Sequence, residues 1–349
     1  MRFISCYPAR LLVPLLLLGF PNLGAAPPAP PATFTNPLLA SGPDPWVIQQ
    51  GGFYYFMATT GPNITIRKTA KMAELRAAPA HVVWAPGAAD AAHATNIWAP
   101  ELHYLDGKWY IYYTAGPRGQ ACCGGQRSWV LENASPDPLA STWTDKGQLA
   151  SPTEDYWAID GTVFELRGQR YYLWSGQPTP TSTEQRIYIS AMRNPWTLMG
   201  PRVMLTRPEL NWELNGTPKV NEGPEILQHA GRVFLLYSAG HCSTDDYTLG
   251  QLTLTGSDPL DAQAWTKSPT PVFVKNPVNH TYGPGHNGFF TSKDGQESWI
   301  IYHANSRTNE GCGNPRNPRM QQFTWNLDGT PNFGIPVDID FAIRRPGGE

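Results

Sequence analysis

The 349-residue chain is poor in charged side chains, and neither sign of charge dominates it. Asp, Glu, Lys and Arg together make up 15% of the residues, with 26 basic residues against 28 acidic ones. A nearly balanced, slightly acidic chain offers no basic surface of the kind that binds nucleic acid. We therefore expect no nucleic-acid partner.

Long apolar runs are also scarce, and the clearest one lies at the start of the chain. Leu11–Phe20 is short and apolar, follows Arg2 and Arg10, and precedes the small residues Gly24–Ala26. This order is typical of a secretory signal peptide, and the run is too short for a transmembrane helix. We predict a signal peptide over 1–25 and a secreted, extracellular protein with no membrane partner; an uncleaved anchor is the alternative.

The chain after the predicted cleavage zone contains no internal linker. Its one Pro-rich low-complexity stretch is Pro27–Pro31, which predicts a short exposed leader over 26–34. Residues 35–345 exceed an average domain in length, yet no composition shift divides them. One domain built of repeats fits this length.

Several catalytic signatures are missing as well. The sequence has no nucleotide-binding glycine loop, no Ser-His-Asp order and no paired spacing of metal ligands. These absences argue against nucleotide-dependent, serine-hydrolase and zinc-dependent chemistry. No cofactor is expected for the reaction itself.

One short aromatic pattern recurs five times, and the rest of the chain is arranged around it. Each copy is rich in aromatic and β-branched residues and ends on small ones, which predicts a strand buried on both faces. We call these copies the marker strands; they are Tyr54–Gly61, Trp109–Gly116, Tyr171–Gly176, Val233–Gly240 and Trp299–Ala304. Their starts are 55, 62, 62 and 66 residues apart. The pattern predicts an all-β, five-bladed β-propeller with four strands per blade and almost no helix, and the alternative is a large β-sandwich.

The five cysteines fit a secreted protein. Cys6 belongs to the predicted signal peptide, which leaves Cys122, Cys123, Cys242 and Cys312, an even number. All four follow the marker strand of their blade, so equivalent loops hold them. Of the three pairings we favour Cys122–Cys123 together with Cys242–Cys312 across adjacent blades; a zinc site is the alternative, but the spacing does not suit it.

Four Asn-X-Ser/Thr sequons could carry glycans in a secreted eukaryotic protein. They begin at Asn63, Asn133, Asn215 and Asn279. Each is a weak signal alone, and together they predict a glycoprotein.

Three acids lie in apolar surroundings before marker strands. Asp44, Asp160 and Glu222 precede their strands by 10, 11 and 11 residues, which predicts equivalent inner-strand positions in blades 1, 3 and 4. A carboxylate there is unfavourable unless it is hydrogen-bonded or functional, and turn capping is the alternative. Carboxyl groups that converge on one channel indicate glycoside hydrolysis, in which an acid protonates the leaving oxygen and a base activates water.

The segments around these acids resemble glycoside hydrolase family 43, and most closely its exo-acting α-L-arabinofuranosidases. The matching segments are Gly42–Pro45, Asn96–Glu101, Ile159–Gly161, Asn221–Pro224, Gly283–Phe289 and Trp299–Ala304. The resemblance implies a five-bladed propeller that inverts the anomeric configuration. It also implies that Asp44 is the general base, Glu222 the general acid, and Asp160 the residue that raises the pKa of the acid and orients it.

The resemblance suggests three further residues. Trp98 would stack on the sugar, and the alternative is a core tryptophan. Arg307 would reach the sugar, and the alternative is a solvated surface residue. His286 would lie near a hydrated structural calcium ion in the channel, and the alternative is a neutral core histidine. The expected partner is a plant cell-wall polysaccharide or oligosaccharide, and the protein is expected to be a monomer. A β-xylosidase, an endo-arabinanase and a non-catalytic sugar-binding propeller are the alternative functions.

Overall fold

The computed structural model describes residues 1–5, 32–121, 123–140 and 142–349. The predicted signal peptide and leader fall largely outside these ranges, so both stay predictions. Residues 32–349 form one compact unit. Within the described residues, no helix has the length and apolar character needed to cross a membrane.

Five antiparallel sheets of four strands each account for nearly all of the strands in the described residues. In chain order the strands are β1 (Thr33–Phe34), β2 (Trp46–Gln50), β3 (Phe53–Met57), β4 (Ile64–Thr69), β5 (Ala80–Trp84), β6 (Thr95–Leu105), β7 (Lys108–Gly116), β8 (Arg127–Asn133), β9 (Thr144–Gln148), β10 (Ala158–Leu166), β11 (Gln169–Gly176), β12 (Arg186–Asn194), β13 (Thr197–Thr206), β14 (Asn221–His229), β15 (Arg232–Ala239), β16 (Thr248–Leu254), β17 (Trp265–Lys267), β18 (Tyr282–Thr291), β19 (Ser298–Asn305), β20 (Asn317–Trp325), β21 (Pro331–Asn332) and β22 (Ile343–Arg344). Blades 1 to 5 are β2–β5, β6–β9, β10–β13, β14–β17 and β18–β21. The five-bladed propeller predicted from the marker strands is confirmed.

Helix is confined to short 3-10 segments in the described part of the chain, as the sequence predicts. They are Met72–Ala77, Ala91–His93, Asn211–Glu213, Ala262–Ala264 and Pro277–Asn279. The two short strands outside the blades, β1 and β22, pair with each other. Asn36 follows β1 and exchanges two hydrogen bonds of 3.0 Å with the backbone of Met320 in blade 5. The two ends of the described propeller are thereby held at the junction of blades 1 and 5.

Each marker strand is the second strand of its blade and is buried on both faces. Ile111, Leu235 and Ile300 are completely buried within clusters that combine side chains from different strands. Burying one such side chain contributes about 1.5–3 kcal/mol. Both faces of these strands pack against hydrophobic neighbours, which explains why their sequences are apolar throughout rather than alternating.

A bulge interrupts the inner strand of blades 2 to 5, and in blade 1 the corresponding residue lies just before the inner strand β2. In blades 2 to 5 the register with the second strand shifts between Trp98 and Glu101, Ile159 and Thr162, Glu222 and Glu225, and Gly285 and Gly288. One residue per blade has a left-handed φ at this point: Asp44 (55°), Ala99 (41°), Asp160 (55°), Gly223 (54°) and His286 (47°). Bulges and left-handed non-glycine residues concentrate at functional sites, where surrounding contacts hold them in place.

Hydrogen bonds between neighbouring blades hold these left-handed residues. Four of them donate their backbone N–H to a side chain in, or just after, the second strand of the neighbouring blade: Asp44 to His303 (3.0 Å), Ala99 to Thr59 (2.7 Å), Asp160 to Thr114 (3.1 Å) and His286 to Ser238 (2.7 Å). The fifth, Gly223, donates to Asp160 Oδ2 at 3.1 Å. The ring of bonds fixes the backbone on which the candidate acids are carried.

The register corrects one prediction about the acids. Glu222 lies opposite Ser238, whereas Asp160 comes one residue after Ile159, which lies opposite Ser175. Glu222 is therefore one residue earlier than the position shared by Asp44 and Asp160, and the predicted equivalence of all three acids is wrong for it. The sequence spacing of the acids gave the wrong result because it was counted from Tyr171 and Val233. These two residues lie at different distances from the bulges of their blades.

The predicted bridge between adjacent blades is present. Cys242 and Cys312 form a disulfide with a Cα–Cα distance of 4.9 Å. Cys123 is disulfide-bonded, and Cys122 lies outside the described residues, so the Cys122–Cys123 bridge stays a prediction. Among the sequons, Asn133 is completely buried and its Nδ2 donates to Ala140 O. A glycan on Asn133 is therefore incompatible with this fold.

Candidate active site

A cavity of about 410 Å³ opens where the inner strands converge. Its walls come from all five blades and combine acids, tryptophans and a disulfide. The lining residues are Asp44, Thr59, Trp98, Cys123, Trp157, Ile159, Asp160, Gln185, Pro218, Glu222, His241, Cys242, His286, Cys312 and Arg316. The structure thus brings together Asp44, Asp160 and Glu222, as well as Trp98 and His286.

Asp44 is held in its ionised form. Its Oδ1 accepts from Arg316 Nη1 at 2.8 Å, and its Oδ2 accepts from the Thr59 hydroxyl at 2.7 Å. The ring nitrogens of His286 and His303 lie 3.3 and 3.4 Å from Oδ1. Burial alone would raise the pKa of Asp44, but these cationic and hydrogen-bonding neighbours bring that pKa well below its ordinary value. A carboxylate that stays ionised can accept a proton from water.

Glu222 has the opposite electrostatic surroundings. Burial, together with the negative charge of Asp44, raises the pKa of Glu222 to about 7, although the hydroxyl of Tyr247 lowers it by donating to Oε1 at 2.9 Å. The carboxyl group is therefore protonated through much of the pH range below neutrality. The pKa directions of Asp44 and Glu222 are opposite, as a general base and a general acid in one site would require.

Asp160 is a close neighbour of both acids. It is 6% exposed, and burial and the neighbouring Glu222 and Asp44 raise its pKa well above the ordinary value. The Gly223 N–H opposes this by donating to its Oδ2. Ionisation of either Asp160 or Glu222 disfavours ionisation of the other, so the two carboxyl groups together retain a proton near neutral pH.

Two tryptophans form the apolar walls. Trp98 is partly exposed to the cavity, and Trp157 is buried with its Nε1 donating to Cys123 O at 2.9 Å. Both line the same space as the acids. The partial exposure of Trp98 is what a stacking surface for a sugar ring requires, and the core alternative does not apply to a side chain that lines the cavity.

The structure places Arg316 in the cavity and Arg307 outside it. Arg307 is exposed, and its backbone N–H donates to the Glu310 carboxylate. Arg316, at the other end of the same loop, forms the ion pair with Asp44. Arg307 was predicted because it closely follows the fifth marker strand in the sequence. The loop between β19 and β20 turns back over the cavity, which brings its last residue, not its first ones, to the acids.

His286 lies beside the acids, with its Nδ1 3.3 Å from Asp44 and 4.0 Å from Asp160. Burial lowers the pKa of this ring, so it is mostly neutral. Calcium takes about six to eight oxygen ligands, and within the described residues no close group of three His, Cys, Asp or Glu ligand atoms includes His286. A direct bond between a ring nitrogen of His286 and a calcium ion therefore does not fit this site. The neighbouring Asn287 is buried with both amide atoms lacking a hydrogen-bond partner, a feature that fits a bound water or a hydrated ion.

The sequence did not point to three supporting residues: Thr59, His303 and Tyr247. Thr59 and His303 end marker strands, so the small or polar ends of those strands were an available signal. Tyr247 lies in the loop before β16 and carries no sequence signature. Its role depends on the packing of blade 4 against blade 5.

The chain is similar to known glycoside hydrolases. The family model described as glycosyl hydrolases family 43 matches residues 34–331. An extracellular exo-alpha-(1->5)-L-arabinofuranosidase of Streptomyces avermitilis is 40% identical over 93% of the chain and 68% of its own length. One of the same name from Streptomyces chartreusis is 41% identical over 82% of the chain and 87% of its own length. The crystal structure of an alpha-L-arabinofuranosidase from Lactobacillus brevis has a TM-score of 0.82 and 38% identity, covering 88% of this chain and 98% of that one.

Proposed function

The chain belongs to the glycosyl hydrolases of family 43, and from that premise we propose that it is an exo-acting α-L-arabinofuranosidase that works with inversion. The single observation that carries the proposal is the convergence of Asp44, Asp160 and Glu222 on one cavity walled by tryptophans. The pKa of Asp44 is lowered and that of Glu222 is raised to about 7. An inverting hydrolase needs this division between base and acid.

The base acts on water. Asp44 takes a proton from a water molecule while the water oxygen forms a bond to the anomeric carbon. Arg316 and Thr59 hold the carboxylate in place, and the ring of His303 holds the backbone of Asp44 by accepting its N–H. Because the aspartate is already ionised, water activation continues to low pH.

The acid acts on the leaving group. Glu222 gives its proton to the glycosidic oxygen as the bond from that oxygen to the anomeric carbon breaks. The pKa of about 7 places the alkaline limb of the pH–rate profile near neutral pH, since above it the acid loses its proton. The products are the free sugar, with inverted configuration, and the shortened polysaccharide.

Asp160→Asn is expected to move that alkaline limb to lower pH. Asp160 and Glu222 share one proton near neutral pH, and whichever of them ionises raises the pKa of the other, so an asparagine that cannot ionise lowers the pKa of the acid. The asparagine keeps the size of the side chain and an acceptor for the Gly223 N–H. The measurement is kcat/KM against pH, with Asp155→Asn on the surface as the control; an unmoved limb would mean that Asp160 does not set the acid's pKa.

Substrate class and mode of attack are tested together. We expect the protein to release single L-arabinose units from the non-reducing ends of linear arabinan, to hydrolyse an aryl α-L-arabinofuranoside, and to leave an aryl β-xyloside nearly untouched. The three substrates are digested side by side and the products are separated by chromatography. Accumulation of long oligosaccharides would indicate an endo-acting groove, and preferential xyloside cleavage a β-xylosidase.

The proposal also includes secretion, a polysaccharide partner and a structural calcium ion. We infer an extracellular protein acting alone on plant cell-wall arabinan or arabinoxylan, since relatives with similar sequences are named extracellular. His286 and Asn287 are the residues that would contact the water shell of a structural calcium ion, which would stabilise the channel and take no part in the chemistry. Metal analysis of the purified protein by plasma mass spectrometry tests this assignment.

A further inference from the structure

Tyr247 is buried behind the cavity and contacts the candidate acid. The side chain is 1% exposed, and its hydroxyl donates to Glu222 Oε1 at 2.9 Å. Burial first, and then the charge of Glu222, raises the pKa of Tyr247 well above the ordinary value. The hydroxyl therefore keeps its proton and remains a donor throughout the pH range in which the enzyme would work.

The tyrosine ring is held from blade 5. It stacks on the ring of His303 with centroids 5.7 Å apart and an angle of 17° between the planes. Gly285 makes room on another side, since a Cβ atom there would lie 2.3 Å from Cε1 of the tyrosine. A large side chain with one polar atom, packed in this way, has little freedom to change its rotamer.

The same packing connects the acid with the base. His303 accepts the backbone N–H of Asp44 through Nδ1 at 3.0 Å, and its ring carries Tyr247. The hydroxyl of Tyr247 then reaches Glu222. One continuous set of contacts therefore runs from the base in blade 1, through blade 5, to the acid in blade 4.

We propose that Tyr247 is the positioning residue of the general acid: it holds Oε1 of Glu222 so that Oε2 carries the proton and delivers it to the glycosidic oxygen. This inference rests on the proposed function. An oxygen that accepts the tyrosine hydroxyl is the carbonyl oxygen of the protonated acid, so the acidic hydrogen belongs on the other oxygen. Tyr247 itself transfers no proton and touches no substrate.

Tyr247→Phe removes only the hydroxyl group and keeps the ring against His303. We expect kcat on a natural arabino-oligosaccharide to fall about 10-fold or more, because a misplaced acid transfers its proton poorly. The rate on a dinitrophenyl arabinofuranoside, whose leaving group needs little protonation, should change less than about 2-fold. The alkaline limb should move to higher pH, because the lost hydrogen bond favoured the ionised form of Glu222.

Tyr237→Phe is the matched control. Tyr237 is also buried in blade 4, and its hydroxyl donates to Glu213 Oε1 at the same distance, 2.9 Å, away from the cavity. This variant removes an equivalent tyrosine–glutamate bond without touching Glu222. Its thermal stability should fall as much as that of Tyr247→Phe, while its pH profile and its ratio of rates on the two substrates should stay those of the unmutated protein.

Gly285→Ala is the second test. The added methyl group displaces the Tyr247 ring, so the variant should reproduce the loss on natural substrate and the shift of the alkaline limb. If Tyr247→Phe loses the same factor on both substrates with an unmoved limb, the positioning role is wrong. If Glu222→Ala also loses the same factor on both substrates, Glu222 is not the acid, and that part of the proposed function has failed instead.

Discussion

Asp44→Ala is expected to lower kcat by about 10²–10⁴-fold on every substrate, whatever its leaving group. Water activation is required for each hydrolysis, and among the three acids Asp44 is the one whose pKa is lowered. The range corresponds to about 2.7–5.5 kcal/mol of transition-state stabilisation. The measurement is kcat on an arabino-oligosaccharide and on a dinitrophenyl arabinofuranoside, and both should fall by similar factors.

Removing Asp44 also leaves the Arg316 guanidinium without its carboxylate partner. Asp44→Asn is therefore made in parallel, because it keeps the size of the side chain and an acceptor for Thr59 but cannot take a proton as a carboxylate does. Both variants should show this fall in kcat while thermal unfolding confirms that they are folded. Proton NMR of the first-formed sugar from an α-linked substrate should show the β-anomer with the unmutated protein; retention of configuration would contradict the base-and-water mechanism.

Glu222→Ala is expected to lower the hydrolysis rate by a factor that depends on the leaving group of the substrate. The natural oligosaccharide needs protonation of its glycosidic oxygen, so its rate should fall by about 10²–10⁴-fold. The dinitrophenyl glycoside should be affected far less. The alkaline limb near pH 7, assigned to the raised pKa of Glu222, should disappear from the profile on the activated substrate.

Glu213→Gln provides the control for burial. Glu213 is a fully buried glutamate in the 3-10 segment that precedes the same blade, and its carboxylate binds Lys267 and Tyr237 of that blade. Its loss should cost stability without changing the ratio of rates on the two substrates. If Glu222→Ala reduced both substrates by the same factor, its assignment as the acid would be withdrawn.

The blades were predictable because the physical cause of the marker strands is local. A strand that is the second of four and is packed on both faces must be apolar on both faces, whatever the rest of the chain does. Leu235 and Ile300 are apolar and completely buried, so this burial can be read from the sequence itself. The Cys242–Cys312 bridge was predictable for a related reason, because repeats place equivalent loops of neighbouring blades side by side.

The exact place of the acids was less predictable. Glu222 and Asp160 differ by one position relative to their bulges, and a bulge changes which way each following side chain faces. The spacing along the sequence gives the number of residues between two positions, but it does not show which of them is the extra residue of the bulge. Arg307 was predicted to reach the sugar, whereas Arg316 lines the cavity, because the path of the loop between them is fixed by contacts with other blades, such as those of Asp245 with Thr308 and Asn309.

The sequence by itself determined the number of blades, the acids and the family resemblance, because repeated burial and motif segments are properties of contiguous residues. Only the tertiary structure decided the electrostatic roles and their supports. The lowered pKa of Asp44 depends on Arg316, 272 positions away in the chain, and Glu222 accepts a hydrogen bond from Tyr247, whose ring packs against His303. Charge interactions and hydrogen bonds act over a few ångströms in space, and the closed ring of blades brings together residues that the chain keeps far apart.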